Sequence, residues 1–239
     1  MKAAQCIITD EIKAEHLIVE HVAHDLKEII TKFDCLNKLL QDKLEGSNDM
    51  EIERLIRGID SVCNHGYLIT KDLLTCCILD SFNEMEREVY SLNQLIDQQA
   101  KLYELQADKK QIDFQIILPV QQFFFELDCS KFIRVLDNLF SNALKFTEKG
   151  GQIKIELSDS GGKATIAVSD SGVGVPIALQ NNLFNRYSNS GQFEEEKHTR
   201  LGLYIVKKII DLHKGKVWFN TEENKGSTFY VELSSGIIL

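Results

Sequence analysis

The residues of this chain best equipped for chemistry stand in two short stretches. In Lys131–Thr147, KFIRVLDNLFSNALKFT, residues Asn138, Asn142 and Lys145 fall at i, i+4 and i+7. A helix would set all three on one face about two turns long. An amide oxygen is a hard, neutral ligand that suits Mg²⁺, and an ammonium is a compact point charge that suits phosphate. Such a face suits a magnesium nucleotide, although a solvated helix face shows the same residue types. In the second stretch, Asp170-Ser171-Gly172-Val173-Gly174, a carboxylate at a strand end precedes two alternating glycines. The glycines would let a flat ligand lie against bare backbone while Asp170 accepts a hydrogen bond from it, such as one from the exocyclic amine of adenine. By itself that pattern is as often a turn as a site.

The helix that must carry the ladder separates at helical period into an apolar set (Phe132, Val135, Leu136, Leu139, Phe140, Ala143, Leu144) and a polar one. Asp128 or Ser130 caps its start, and Gly150-Gly151 ends the turn after it. Before it come a helix over Leu92–Lys110, an alternating strand over Ile112–Leu118 and a short strand over Phe123–Leu127. After it, Gln152–Ser158 and Ala164–Asp170 read as a hairpin about Asp159-Ser160-Gly161-Gly162. A short helical stretch follows Pro176, and Tyr187–Thr199 is polar and poorly patterned. Leu201–His213 is a clean amphipathic helix, and Lys216–Thr221 with Ser227–Leu233 make a last hairpin. The second half is therefore a sandwich of helices on a mixed sheet, and the chain is α+β.

The first half is different. Residues 5–45 contain neither Gly nor Pro, and Val19, Val22, Leu26, Ile29, Phe33, Leu36 and Leu40 form a heptad seam. A turn at Gly46–Asp49, with Asn48 or Asp49 as the next cap, leads into a second long helix over Met50–Phe82. Gly66 on that helix allows close backbone approach. A two-helix hairpin leaves apolar surface uncovered, so a homodimer through residues 5–82, forming a four-helix bundle, is expected. Periodicity changes between Asn83 and Ser91, which divides the chain into 1–85 and 86–239.

Composition excludes several classes. Of 239 residues, 44% are hydrophobic and 26% charged, as in ordinary globular proteins. The formal charge is −9 and the 27 Lys and Arg are dispersed, which argues against nucleic-acid binding. No apolar run approaches the roughly 20 residues of a membrane span. The six cysteines form no CxxC pair and mostly occupy apolar helical positions. Reduced thiols in a soluble cytoplasmic protein are expected.

Five motifs, NLFSNALKFT, DSGVG, LFNRYS, LGLYIVKKII and GSTFYVEL, occur in this order between Asn138 and Leu233, within a resemblance that covers about Leu92–Ser235. Together they resemble the ATP-binding domain of sensor histidine kinases, a fold shared with gyrase, heat-shock-90 chaperones and mismatch-repair ATPases. The resemblance implies that Asn142 ligands Mg²⁺ with Asn138 beside it, that Lys145 contacts phosphate, and that Asp170 receives the adenine amine. Gly172 and Gly174 would shape the base pocket, and Phe184 would match the aromatic that positions a lid. Gly202 and Leu203 would open the phosphate-side helix, whose N-terminal N–H groups favour anions. The family's Gly-x-Gly-Leu-Gly-Leu run reads His198-Thr199-Arg200-Leu201-Gly202-Leu203 here. Side chains replacing two glycines are expected to restrict the lid, while Arg200 brings a charge that suits phosphate.

Upstream, Ile18-Val19-Glu20-His21-Val22-Ala23-His24-Asp25-Leu26-Lys27 resembles the phosphoacceptor box of the same kinases, with His24 facing away from the seam. A neutral imidazole can attack phosphorus while Asp25 holds its tautomer and takes up its proton. His16 and His21 read as solvated surface residues. The resemblance implies ATP and Mg²⁺ as cofactors, and as partners the receiver domain of a response regulator and an upstream sensor domain or protein. The family's Thr-Pro is Glu28-Ile29 here, so weak phosphatase activity toward the regulator is expected. Two other readings stand beside the kinase. One is a degenerate kinase-like phosphotransferase that relays phosphate through His24. The other is an ATPase of the wider superfamily with no phosphohistidine.

Overall fold

The structure, a computed structural model, describes residues 30–38, 40, 50–81, 85–159, 162–185, 201–234 and 237–238. His24, Asp25, Glu28, His198 and Arg200 lie outside the described residues. The chain divides into two compact units, Met1–Phe82 and Asn83–Leu239.

In the first unit a helical segment, α1 (residues 30–38), packs against the long helix α2 (Met50–Ser81). A Cβ on Gly66 would stand 3.0 Å from Ile30 Cδ1, so the glycine permits the approach that its position suggested. Asn37 is buried at the same contact and donates through Nδ2 to Ile56 O at 3.4 Å and to the Asp60 carboxylate. Ile56, Cys63 and Thr70, seven residues apart, line the buried side of α2. By contrast Phe33, Leu36, Leu40 and Val62, expected on the seams, are exposed in the single chain. A hairpin of two helices buries one stripe of each, and these residues lie on another.

The second unit is built on a sheet in the order β2-β4-β5-β7-β6: Asp113–Ile117, Gln152–Asp159, Lys163–Asp170, Gly226–Ser234 and Lys216–Glu222. β2 and β4 run parallel and the other neighbours antiparallel. Strict alternation buries Ile153, Ile155 and Leu157 on β4, Ala164, Ile166 and Val168 on β5, and Phe229, Val231 and Leu233 on β7. Three helices contribute the facing core: α3 (Leu92–Lys110), α4 (Cys129–Phe146) and α6 (Leu201–Leu212). A single turn, α5, spans Ile177–Gln180.

A smaller sheet, β1-β3-β8, joins Glu88–Ser91, Phe123–Leu127 and Ile237–Ile238. Two of its strands were not anticipated. β1 falls in the stretch expected to be only a boundary, and β8 has two residues. Both exist through antiparallel pairing with β3, a contact between distant segments that no local pattern reveals. Among the described cysteines Cys63 and Cys76 are buried, Cys129 is partly covered and Cys35 is exposed, all as free thiols.

Candidate nucleotide site

α4 is the spine of the site. Of the two possible caps, Asp128 takes the position, and its Oδ1 accepts from Lys131 N at 3.1 Å. Burial alone would raise this carboxyl, but hydrogen bonds from Lys131 and Ser130 hold it down at about 2. All seven residues expected on the apolar face are buried.

On the polar face, Asn138 donates through Nδ2 to Arg134 O at 2.8 Å, which turns its Oδ1 outward. A Cβ on Gly202 would stand 2.5 Å from that oxygen, so the first turn of α6 rests directly on Asn138. Two turns further on, a Cβ on Gly172 would overlap the carbonyl oxygen of Phe146. α4 therefore meets α6 at Asn138 and the loop after β5 at Phe146, points separated by about 12 Å of helix rise. Asn142 is half-buried between them. Lys145 is exposed, with Nζ 4.3 Å from the centre of the Phe146 ring.

Asp170 ends β5. Its Oδ1 accepts from Gly172 N at 2.9 Å. Burial pushes the carboxyl above its usual range, while backbone N–H groups of Gly172 and Ser227 pull the other way. The loop that follows is tied to the β6-β7 turn by Asn224 N donating to Val173 O (2.8 Å) and Val175 N donating to Thr221 Oγ1 (2.9 Å). Gly174 has φ +69°, and a Cβ there would overlap Glu222 O; Gly226 has φ +108°, and its Cβ would overlap Asp170 O. Close approach of the protein's own chain thus requires glycine at both 172 and 174. Phe184 packs on Phe219, ring centres 5.8 Å apart, and Leu203 is half-buried in the first turn of α6.

One part of the site had no sequence signal. On the side of α4 turned toward α3, the Asp137 carboxylate accepts from Gln99 Nε2 and from Tyr103 OH, the latter at 3.1 Å. Burial first, then the Asp137 charge, pushes the Tyr103 phenol up, so it stays a donor. Its ring meets Phe140 edge-on at 5.7 Å. This lock fixes the rotation of α4 beside Asn138, and its members are 34 and 38 residues apart in sequence.

The donor set suits a magnesium nucleotide. Asp170 is a partly desolvated acceptor in the loop that meets the Phe146 end of the α4 face, with Lys145 beside that end, Asn142 midway and Asn138 at the other end. No group of three or more His, Cys, Asp or Glu among the described residues could hold a metal. The Asn142 amide oxygen is a hard, neutral donor that would serve a Mg²⁺ beside phosphate oxygens and water.

These features define an ATP-binding α/β sandwich, and residues 128–237 match the family described as "Histidine kinase-, DNA gyrase B-, and HSP90-like ATPase". The catalytic domain of histidine kinase ThkA is 34% identical, with a TM-score of 0.56 over 63% of this chain and 96% of that one. Hybrid signal transduction histidine kinase D of Dictyostelium discoideum is 32% identical over 94% of this chain and 15% of its own length. Sensor protein kinase WalK of Staphylococcus epidermidis is 27% identical over 97% of this chain and 39% of its own. A likeness of fold extends to full-length ShkA in complex with AMPPNP, at TM-score 0.71, 21% identity and 90% of this chain. The chain belongs to the histidine kinase family. It spans well under half the length of either relative just named. No helix among the described residues is long and apolar enough to cross a membrane.

Proposed function

We propose that the chain is a two-component histidine kinase core, which autophosphorylates His24 from Mg-ATP and passes the phosphoryl group to an aspartate on the receiver domain of a response regulator. The carrying observation is that α4 meets the Gly202 turn at Asn138 and the Asp170 loop at Phe146, giving one continuous polar face between them. Asp170 accepts the adenine amine at one end. Asn142 ligands Mg²⁺ with Asn138 beside it, and Lys145 offsets charge on phosphate. Gly202 and Leu203 bring the N–H groups of α6 to the phosphates. ATP supplies the γ-phosphoryl group. Gly172, Gly174 and Phe184 support the loop and aromatic walls, and Arg200 adds positive charge from the lid.

His24 is the acceptor, and Asp25 holds its ring in the attacking tautomer and takes its proton. In this reading residues 1–85 form the dimerisation and phosphotransfer domain and residues 86–239 the catalytic one. The exposed apolar side chains Phe33, Leu36, Leu40 and Val62 support a homodimer through residues 5–82, since a monomer would leave them in water. The protein works in the cytoplasm under an upstream sensor domain or protein.

Calorimetric titration with Mg-ATP tests the nucleotide part. Wild type and His24→Gln bind alike, and Asn142→Ala and Asp170→Ala bind weakly. Equal binding by all four, or none by wild type, would refute it.

A further inference from the structure

His213 takes no part in the chemistry above, yet it is buried at the opposite end of α6 from the site. Its Nδ1–H donates to Ile209 O at 2.8 Å, and its Nε2 accepts from Asp128 N at 3.1 Å. Both bonds together require the neutral ring, protonated on Nδ1. The ring also meets Phe132 edge-on at 6.0 Å. Beside it, Arg87 donates to Leu212 O at 2.7 Å and so holds the end of α6.

α4 runs from Asp128 to Asn138 over the length in which α6 runs back from His213 to Gly202. The spans are about 15 and 17 Å. The two helices are thus joined twice, by His213 on Asp128 and by Gly202 on Asn138. We propose that His213 is a positioning residue for the nucleotide site: its imidazole clasps the end of α6 to the start of α4 and so sets how Gly202 and Leu203 meet Asn138.

The charged groups facing the ring are Asp128, Lys131 and Arg87. Burial is the largest influence on its titration and lowers it, Arg87 and Lys131 act in the same direction, and the Ile209 carbonyl and the Asp128 charge oppose them. Protonation would put an N–H of the ring against the N–H of Asp128, and the clasp would open. Acid therefore weakens nucleotide binding through a group remote from the nucleotide.

This inference rests on the nucleotide-binding reading. The test is calorimetric titration of the full chain with Mg-ADP between pH 8 and pH 5, for wild type, His213→Phe and His213→Gln. Phe keeps a ring beside Phe132 but leaves the Asp128 N–H unpaired, whereas Gln offers a carbonyl acceptor that does not titrate. With native circular dichroism retained, His213→Phe should bind about fivefold or more weakly at pH 8, the scale of one lost buried hydrogen bond. Wild-type affinity should fall more steeply toward pH 5 than that of His213→Gln. If His213→Phe does not fold, the comparison of wild type with His213→Gln decides alone. Superposable pH profiles, or wild-type affinity in folded His213→Phe, would overturn the inference. Failure of wild type to bind Mg-ADP at any pH would instead overturn the nucleotide reading beneath it.

Discussion

Gly202→Ala separates the site from the stability of the fold. The added Cβ would stand 2.5 Å from Asn138 Oδ1, so the amide must withdraw by about 1 Å to reach ordinary contact. Withdrawal strains or breaks the 2.8 Å bond from Asn138 Nδ2 to Arg134 O, at a cost of about 0.5–1.5 kcal/mol. Against this, Ala in place of Gly within a helix gains up to about 1 kcal/mol. The two nearly cancel, and the denaturation midpoint should move little. Nucleotide binding has no such compensation, because Asn138 leaves its place and the first turn of α6 is pushed away. Mg-ATP affinity should fall about tenfold, or about 1.4 kcal/mol. The assay is a double-mutant cycle with Asn138→Ala, reading urea denaturation and calorimetric affinity. In the Asn138→Ala background, Gly202→Ala should cost no further affinity because the group it strikes is gone. Full affinity in Gly202→Ala, or a stability loss above about 3 kcal/mol with additive effects, would refute the reasoning.

Three further outcomes follow from the same geometry. Asp170→Asn should weaken Mg-ATP binding about tenfold or more, while a nucleotide whose base lacks the amine loses little, as competition titrations would reveal. Gly226→Ala should destabilise the domain by about 3 kcal/mol or more in urea denaturation, since φ is +108° and the Cβ would overlap Asp170 O. Asp128→Ala should cost about 1 kcal/mol through loss of the α4 cap. The folded carboxyl lies at about 2, below its ordinary 3.8, so its stabilisation is present above that value and is lost as pH falls toward 2. Acid titration of the melting temperature should show this limb in wild type and not in the variant.

Much of the second unit was legible because its periodicities are strong. Leu92–Lys110 has the limits expected of it, and α4 buries all seven of its expected apolar residues. What escaped depends on contacts between distant segments. β1 and β8 borrow their order from β3, the lock of Gln99 and Tyr103 on Asp137 is polar and scattered, and His213 read only as the end of an amphipathic helix. The glycines of DSGVG were conspicuous in sequence, but the backbone they must clear, at Phe146 and Glu222, was not. In the hairpin, heptad spacing marked Phe33, Leu36 and Leu40 as apolar, yet spacing alone does not separate the stripe buried within one chain from the stripe left exposed.

In the proposed function the nucleotide face on α4 serves phosphorylation of His24. The most direct measurement is transfer of label from γ-labelled ATP with Mg²⁺ to the purified chain, beside His24→Gln and Asn142→Ala. Acid-labile label is expected on wild type and on neither variant. Label that persists in His24→Gln, or a folded wild-type protein that binds Mg-ATP and takes up no label, would contradict it.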